Sequence, residues 1–135
     1  MDDPSPSPAT ILLLDSDSVM QAALRDVLQS ANYLVETAGD IGEAIDRIAE
    51  LPPDLLVIRP YINSMPGSMA ADYLRTKCPG LPVLIVAGFM EDDRVDIRAA
   101  IRDFHSFPEP FHRVDLLLKV KEVLTAARRK SLGAG

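Results

Sequence analysis

Short, unbroken apolar runs alternate with segments whose apolar residues recur every three or four positions. Ile11-Leu14 is the first run and ends at Asp15. Tyr33-Ala38, with its β-branched centre, Leu55-Ile58, Val83-Ala87 and Asp103-Phe107 complete five expected strands. Between them lie helical patterns. Ser18 is a good N-cap for Met20, Ala23, Leu24, Val27 and Leu28. Asp40 and Glu43 suggest a capping box ahead of Ala44, Ile45, Ile48 and Leu51, and Pro52-Pro53 stops that helix. Gly67 opens a third helix through Ala70, Ala71 and Leu74, closed by the turn Pro79-Gly80. Glu91 to Arg102 reads as a charged fourth helix. Phe111 to Lys130 reads as a last helix, with Leu116, Val120, Val123 and Leu124 on one face and a basic Arg128-Arg129-Lys130 ending.

Strands alternating with helices imply βαβ units and a parallel sheet covered on both faces. In such sheets a site forms in the crevice at the carboxyl ends of the strands. The residues to examine therefore follow each strand: Asp15-Ser16-Asp17, Arg59, Ala87-Gly88 and Pro108-Glu109-Pro110. Tyr61 and Ile62 follow Arg59 in the next loop, where they either shield the crevice or face solvent.

At 135 residues the chain is expected to form one domain, residues 10–130, between a Pro/Ser-rich tail, residues 1–9, and a small-residue tail, residues 131–135. Fourteen Lys+Arg against twenty Asp+Glu give a net charge of −6 and a pI near 4.8, which argues against a nucleic-acid partner. One cysteine, Cys78, cannot form an intramolecular disulfide, and it reads as a packing residue. With only His105 and His112 besides, no zinc site is expected. The apolar runs fall far short of the ~20 residues that cross a bilayer. The Met-Asp-Asp-Pro start is not a signal peptide. A cytoplasmic protein with no cofactor and no membrane partner is expected.

The strand-end residues resemble those of the receiver domain of bacterial response regulators. The likeness covers residues 10–127 and is carried by ILLLDSD, ANYLVETAGDIGEAI, PPDLLVI, LPVLIVAG and PEPF. It implies a flavodoxin-like, doubly wound α/β fold of five parallel strands in the order 2-1-3-4-5, with helices on both faces. In a working receiver, an aspartate after the third strand accepts a phosphoryl group. Two acids after the first strand hold Mg²⁺, and a hydroxyl and a lysine hold the phosphoryl oxygens. Each role has its chemistry: a carboxylate nucleophile, a hard cation on oxygen ligands, and fixed donors for developing charge.

Carried across by resemblance, Asp15 falls on the first acidic position and Ser16, a weaker ligand, on the second. Asp17 follows, its side chain turned elsewhere. Arg59 falls on the phospho-acceptor, Ala87 on the hydroxyl, Ser106 on the aromatic switch position and Glu109 on the lysine. Pro110 falls on a proline preceded by a cis bond, which would turn residue 109 toward the pocket. A guanidinium stays protonated and is no nucleophile here. Ala87 lacks a hydroxyl, and Glu109 repels phosphate. Asp54, the nearest acid, begins the third strand rather than ending it, and a strand rises ~3.3 Å per residue. The resemblance thus implies a pseudo-receiver: a degenerate phosphorylation pocket, no catalysis and no metal. The usual acid–lysine pair has become Arg59 and Glu109 with the signs exchanged, so an Asp15–Arg59–Glu109 cluster is expected to fill the pocket.

Arg94, Arg98 and Arg102 form a basic stripe on the fourth predicted helix. By resemblance, that helix, the fifth strand and the last helix form a contact face, where the stripe meets acids such as Asp115 or else simply faces water. The expected function is phosphorylation-independent protein–protein interaction in two-component or phosphorelay signalling, with a histidine kinase, another regulator or a second copy. The rival readings are a receiver phosphorylated at an unorthodox residue and a small-ligand binder on the same fold. The first loop, Asp15-Ser16-Asp17, would repel a ligand's phosphate.

Overall fold

A computed structural model describes residues 8–86, 105–107 and 113–134. The elements are β1(Thr10–Leu14), α1(Ser18–Ser30), β2(Leu34–Ala38), α2(Ile41–Glu50), β3(Leu55–Ile58), β4(Tyr61–Ile62), β5(Met65–Pro66), α3(Gly67–Lys77), β6(Val83–Val86), β7(His105–Phe107) and a C-terminal helix, Arg113–Ala134. The main sheet has five strands in the order β2-β1-β3-β6-β7, and every pairing is parallel. The expected helix Glu91 to Arg102, and with it Arg94, Arg98 and Arg102, lies outside the described residues.

Burial explains why the strands read as apolar runs. Every residue of β1, β3 and β6 is buried, because the sheet is covered on both sides. Side chains alternate across it. Leu12, Leu14, Leu56, Ile58 and Ile85 meet Ala44 and Ile48 of α2 and Ala70, Ala71 and Leu74 of α3. On the other face, Ile11, Leu13, Leu55, Val57, Leu84 and Val86 meet Leu24 and Leu28 of α1 and Leu116, Val120 and Val123 of the C-terminal helix. The edge strand β2 keeps an alternating pattern of exposure.

The structure corrects several local expectations. Asp17, not Ser18, caps α1: its carboxylate accepts from the Val19 and Met20 amides at 2.9 and 3.2 Å. Asp40 does cap α2 by accepting from Glu43 N–H at 2.8 Å, while Glu43 reaches back to Gly39 N–H at 2.7 Å. Of the N-terminal tail, residues 1–7 lie outside the described residues. Ala9 is part of the fold, its carbonyl accepting from Leu34 N–H at 3.0 Å. Residues 131–134, expected to be tail, continue the last helix. No proline intervenes, and adding a residue to an existing helix is far easier than starting one.

Tyr61 and Ile62, read as loop, open an antiparallel hairpin, with Tyr61 opposite Pro66 and Ile62 opposite Met65. Asn63 takes the turn at φ 57, in the left-handed region that Asn tolerates better than most residues. Ile62 is buried beside α3 in the core, whereas Tyr61 is half exposed. Gly67 starts α3 against the preceding chain. A Cβ there would collide with the Arg59 carbonyl oxygen, so only glycine lets the helix begin so close to the end of β3.

Candidate functional site

The carboxyl ends of β1, β3 and β6 meet at one point, and Arg59 occupies it. β1 is followed by Asp15, which is only 2% exposed, and β3 by Arg59, 9% exposed. Arg59 Nε lies 3.5 Å from Asp15 Oδ2. Arg59 Nη1 donates to the Val86 carbonyl at 2.9 Å, at the end of β6. Asp15 Oδ1 accepts from the Asp17 amide at 2.8 Å. One guanidinium therefore joins three strand ends.

The rest of the first loop serves other tasks. Ser16 is exposed, and its hydroxyl accepts from Asn63 N–H at 3.2 Å, tying the loop to the hairpin. Asp17 is committed to the helix cap, which is why its side chain does not add a second acid to Asp15. Beside the loop lies a polar cavity of about 270 Å³, whose lining includes Asp15, Ser16, Gln21, Thr37, Glu43 and Arg47. Arg47 is held at its rim by the Thr37 carbonyl, at 3.2 Å from Nε.

Gln21 escaped the sequence reading. Its Nε2 donates to the carbonyls of Asp15 and Ala38 at 3.1 and 3.0 Å, bridging the ends of β1 and β2. A signal existed: Gln21 shares the i, i+3, i+7 stripe with buried Leu24 and Leu28, so a polar residue there faces the sheet. The Val86 carbonyl gave no such signal, because a backbone acceptor has no residue type.

Asp54 sits at the opposite end of the sheet. Its Oδ2 accepts from Thr10 N–H at 2.8 Å and its own N–H donates to the Thr10 carbonyl at 2.8 Å, fastening the start of β1. It is remote from the crevice, as strand length required. Ser106 lies in β7 opposite Ile85. Asp115 is exposed in the first turn of the C-terminal helix. Ala87, Glu109 and Pro110 lie outside the described residues, as does His112. Cys78 ends α3, packs against the core, and burial pushes its thiol above the ordinary 9.0. That makes it a poor thiolate and fits a packing role.

Among the described residues, no group of three or more His, Cys, Asp or Glu is placed to hold a metal. No described helix is long and apolar enough to cross a membrane.

A family model for the response regulator receiver domain matches residues 11–127, nearly all of the folded part. The chain belongs to that family. The response regulator MprA of Mycobacterium sp. strain KMS is 32% identical over 120 residues, covering 87% of this chain and 51% of MprA. MprA of Mycobacterium avium strain 104 is 32% identical over 117 residues, covering 84% and 50%. The chain spans about half the length of the curated relatives it matches. The signal receiver domain of an HD domain-containing protein from Pseudomonas fluorescens Pf-5 superposes with a TM-score of 0.82 at 21% identity, over 96% of each chain. A CheY-like receiver domain from Methanospirillum hungatei JF-1 gives 0.78 at 22% identity, over 92% of this chain and 99% of that one. These structures share the fold. The chain is thus a receiver domain of two-component signalling, with a buried arginine at the end of β3.

Proposed function

We propose that this receiver acts without phosphorylation, as a protein-interaction module with no catalytic activity of its own. One observation carries the reading: the residue just after β3 is Arg59, and its guanidinium already neutralises Asp15 at 3.5 Å. In a working receiver this position supplies the carboxylate that attacks phosphorus. A guanidinium cannot do so, since it holds no free electron pair at accessible pH. Nor do the neighbours supply a substitute. Asp17 is spent on a cap, Ser16 faces the hairpin, and Asp54 fastens the far end of the sheet.

The partner would be a histidine kinase, another regulator or a second copy, met at the face that includes β7 and the C-terminal helix, in the cytoplasm. Asp115 is one acid exposed there. Adding Mg²⁺ and beryllofluoride, a phosphoryl mimic, while following amide NMR shifts tests this reading. No change at residues 15, 59 or 86 is expected. Saturable shifts confined to those positions would overturn it.

A further inference from the structure

Resting on the reading above and extending it to how the pocket is held, we infer that Arg59 is a built-in cation. It stands where a receiver takes its divalent metal and fixes the ends of β1, β3 and β6 in one arrangement. The residues present do not fit the metal. A small hard cation such as Mg²⁺ keeps several waters but still needs one or two carboxylates turned toward it. Of the candidates, Asp15 Oδ1 is engaged by the Asp17 amide and Oδ2 faces the guanidinium. Asp17 gives its carboxylate to the Val19 and Met20 amides, and the Ser16 hydroxyl accepts from Asn63. A cation at Asp15 would also sit against a like charge that burial leaves poorly screened.

The guanidinium does more than neutralise. A metal comes and goes with concentration, whereas the Arg59 guanidinium is covalently tied to the chain just after β3. Its planar fork places Nε toward Asp15 and Nη1 on the Val86 carbonyl, so it spans two strand ends at once from a third. The three ends are thus cross-linked in one arrangement, the one a partner would read.

The test has two arms, neither using a phosphodonor, so its failure is separable from failure of the functional reading. In the first, Mg²⁺ is titrated into the unaltered protein. No saturable amide shift at residues 15–17 is expected at millimolar Mg²⁺, and such a shift would overturn the inference. In the second, Arg59→Ala is melted with and without millimolar guanidinium chloride. The variant should melt several degrees lower, and guanidinium should recover most of that loss while sodium chloride at equal ionic strength recovers none. A variant as stable as its parent, or one indifferent to guanidinium, would overturn the clamp. If Arg59→Ala does not fold, Arg59→Lys replaces it, keeping the charge without the fork. Amide hydrogen exchange at the ends of β1, β3 and β6 should then quicken by about tenfold, the equivalent of one lost hydrogen bond to a charged group. Unchanged exchange would overturn the inference.

Discussion

Arg59 and Asp15 are each expensive to bury alone. Taking either charge out of water costs several kcal/mol, and the pair is tolerable only because each side chain meets partners. That the pair stabilises the fold relative to apolar residues does not follow; that breaking it destabilises does. Arg59→Met removes the guanidinium 3.5 Å from the buried Asp15 carboxylate, and a loss of up to ~3–5 kcal/mol is expected. Asp15→Asn instead removes the carboxylate beside the guanidinium while its bond to the Val86 carbonyl remains. The double change removes both charges and should recover part of the loss. Coupling in such cycles is commonly ~0.5–3 kcal/mol, and the upper half is expected here because Asp15 is 2% exposed and the arginine side chain 11%. Urea melts of the four proteins measure it. Additive losses would mean that the two side chains act independently.

At the scale of elements, the loops are held by short local devices with separable energies. Asp17→Ala should cost ~1 kcal/mol through the lost N-cap, whereas Ser18→Ala, inside the first turn, should fall within ~0.5 kcal/mol of the parent. Equal losses would contradict the assignment of the cap. Gly67→Ala forces a Cβ against the Arg59 carbonyl oxygen. A loss of ~1–3 kcal/mol is expected from overpacking, with amide shifts at residues 59 and 60 as the helix backs away. The same elements show what could be read in advance. β1, β3 and β6 were legible because burial on both faces makes them apolar runs, Thr10 at the start of β1 excepted. The β4–β5 hairpin was not: strands of two residues carry no period, and Pro66 argues against a ladder. The choice between Asp17 and Ser18 was undecidable from preference, since both residue types cap helices well.

Across the whole molecule, the resemblance alone places Asp15 and Arg59 in one crevice, because strand ends converge in a doubly wound sheet. It could not supply the third point of the clamp, the Val86 carbonyl, nor the bridging by Gln21. The fold positions a receiver's crevice and then closes it with charge. The most direct measurement is exposure of the unaltered protein to acetyl phosphate and Mg²⁺, followed by intact mass and mapping of any modified residue. The mass is expected to be unchanged by the phosphodonor, with a receiver of ordinary sequence modified alongside as control. A gain of one phosphoryl group, mapped to a residue lining the crevice around Asp15 and Arg59, would contradict it.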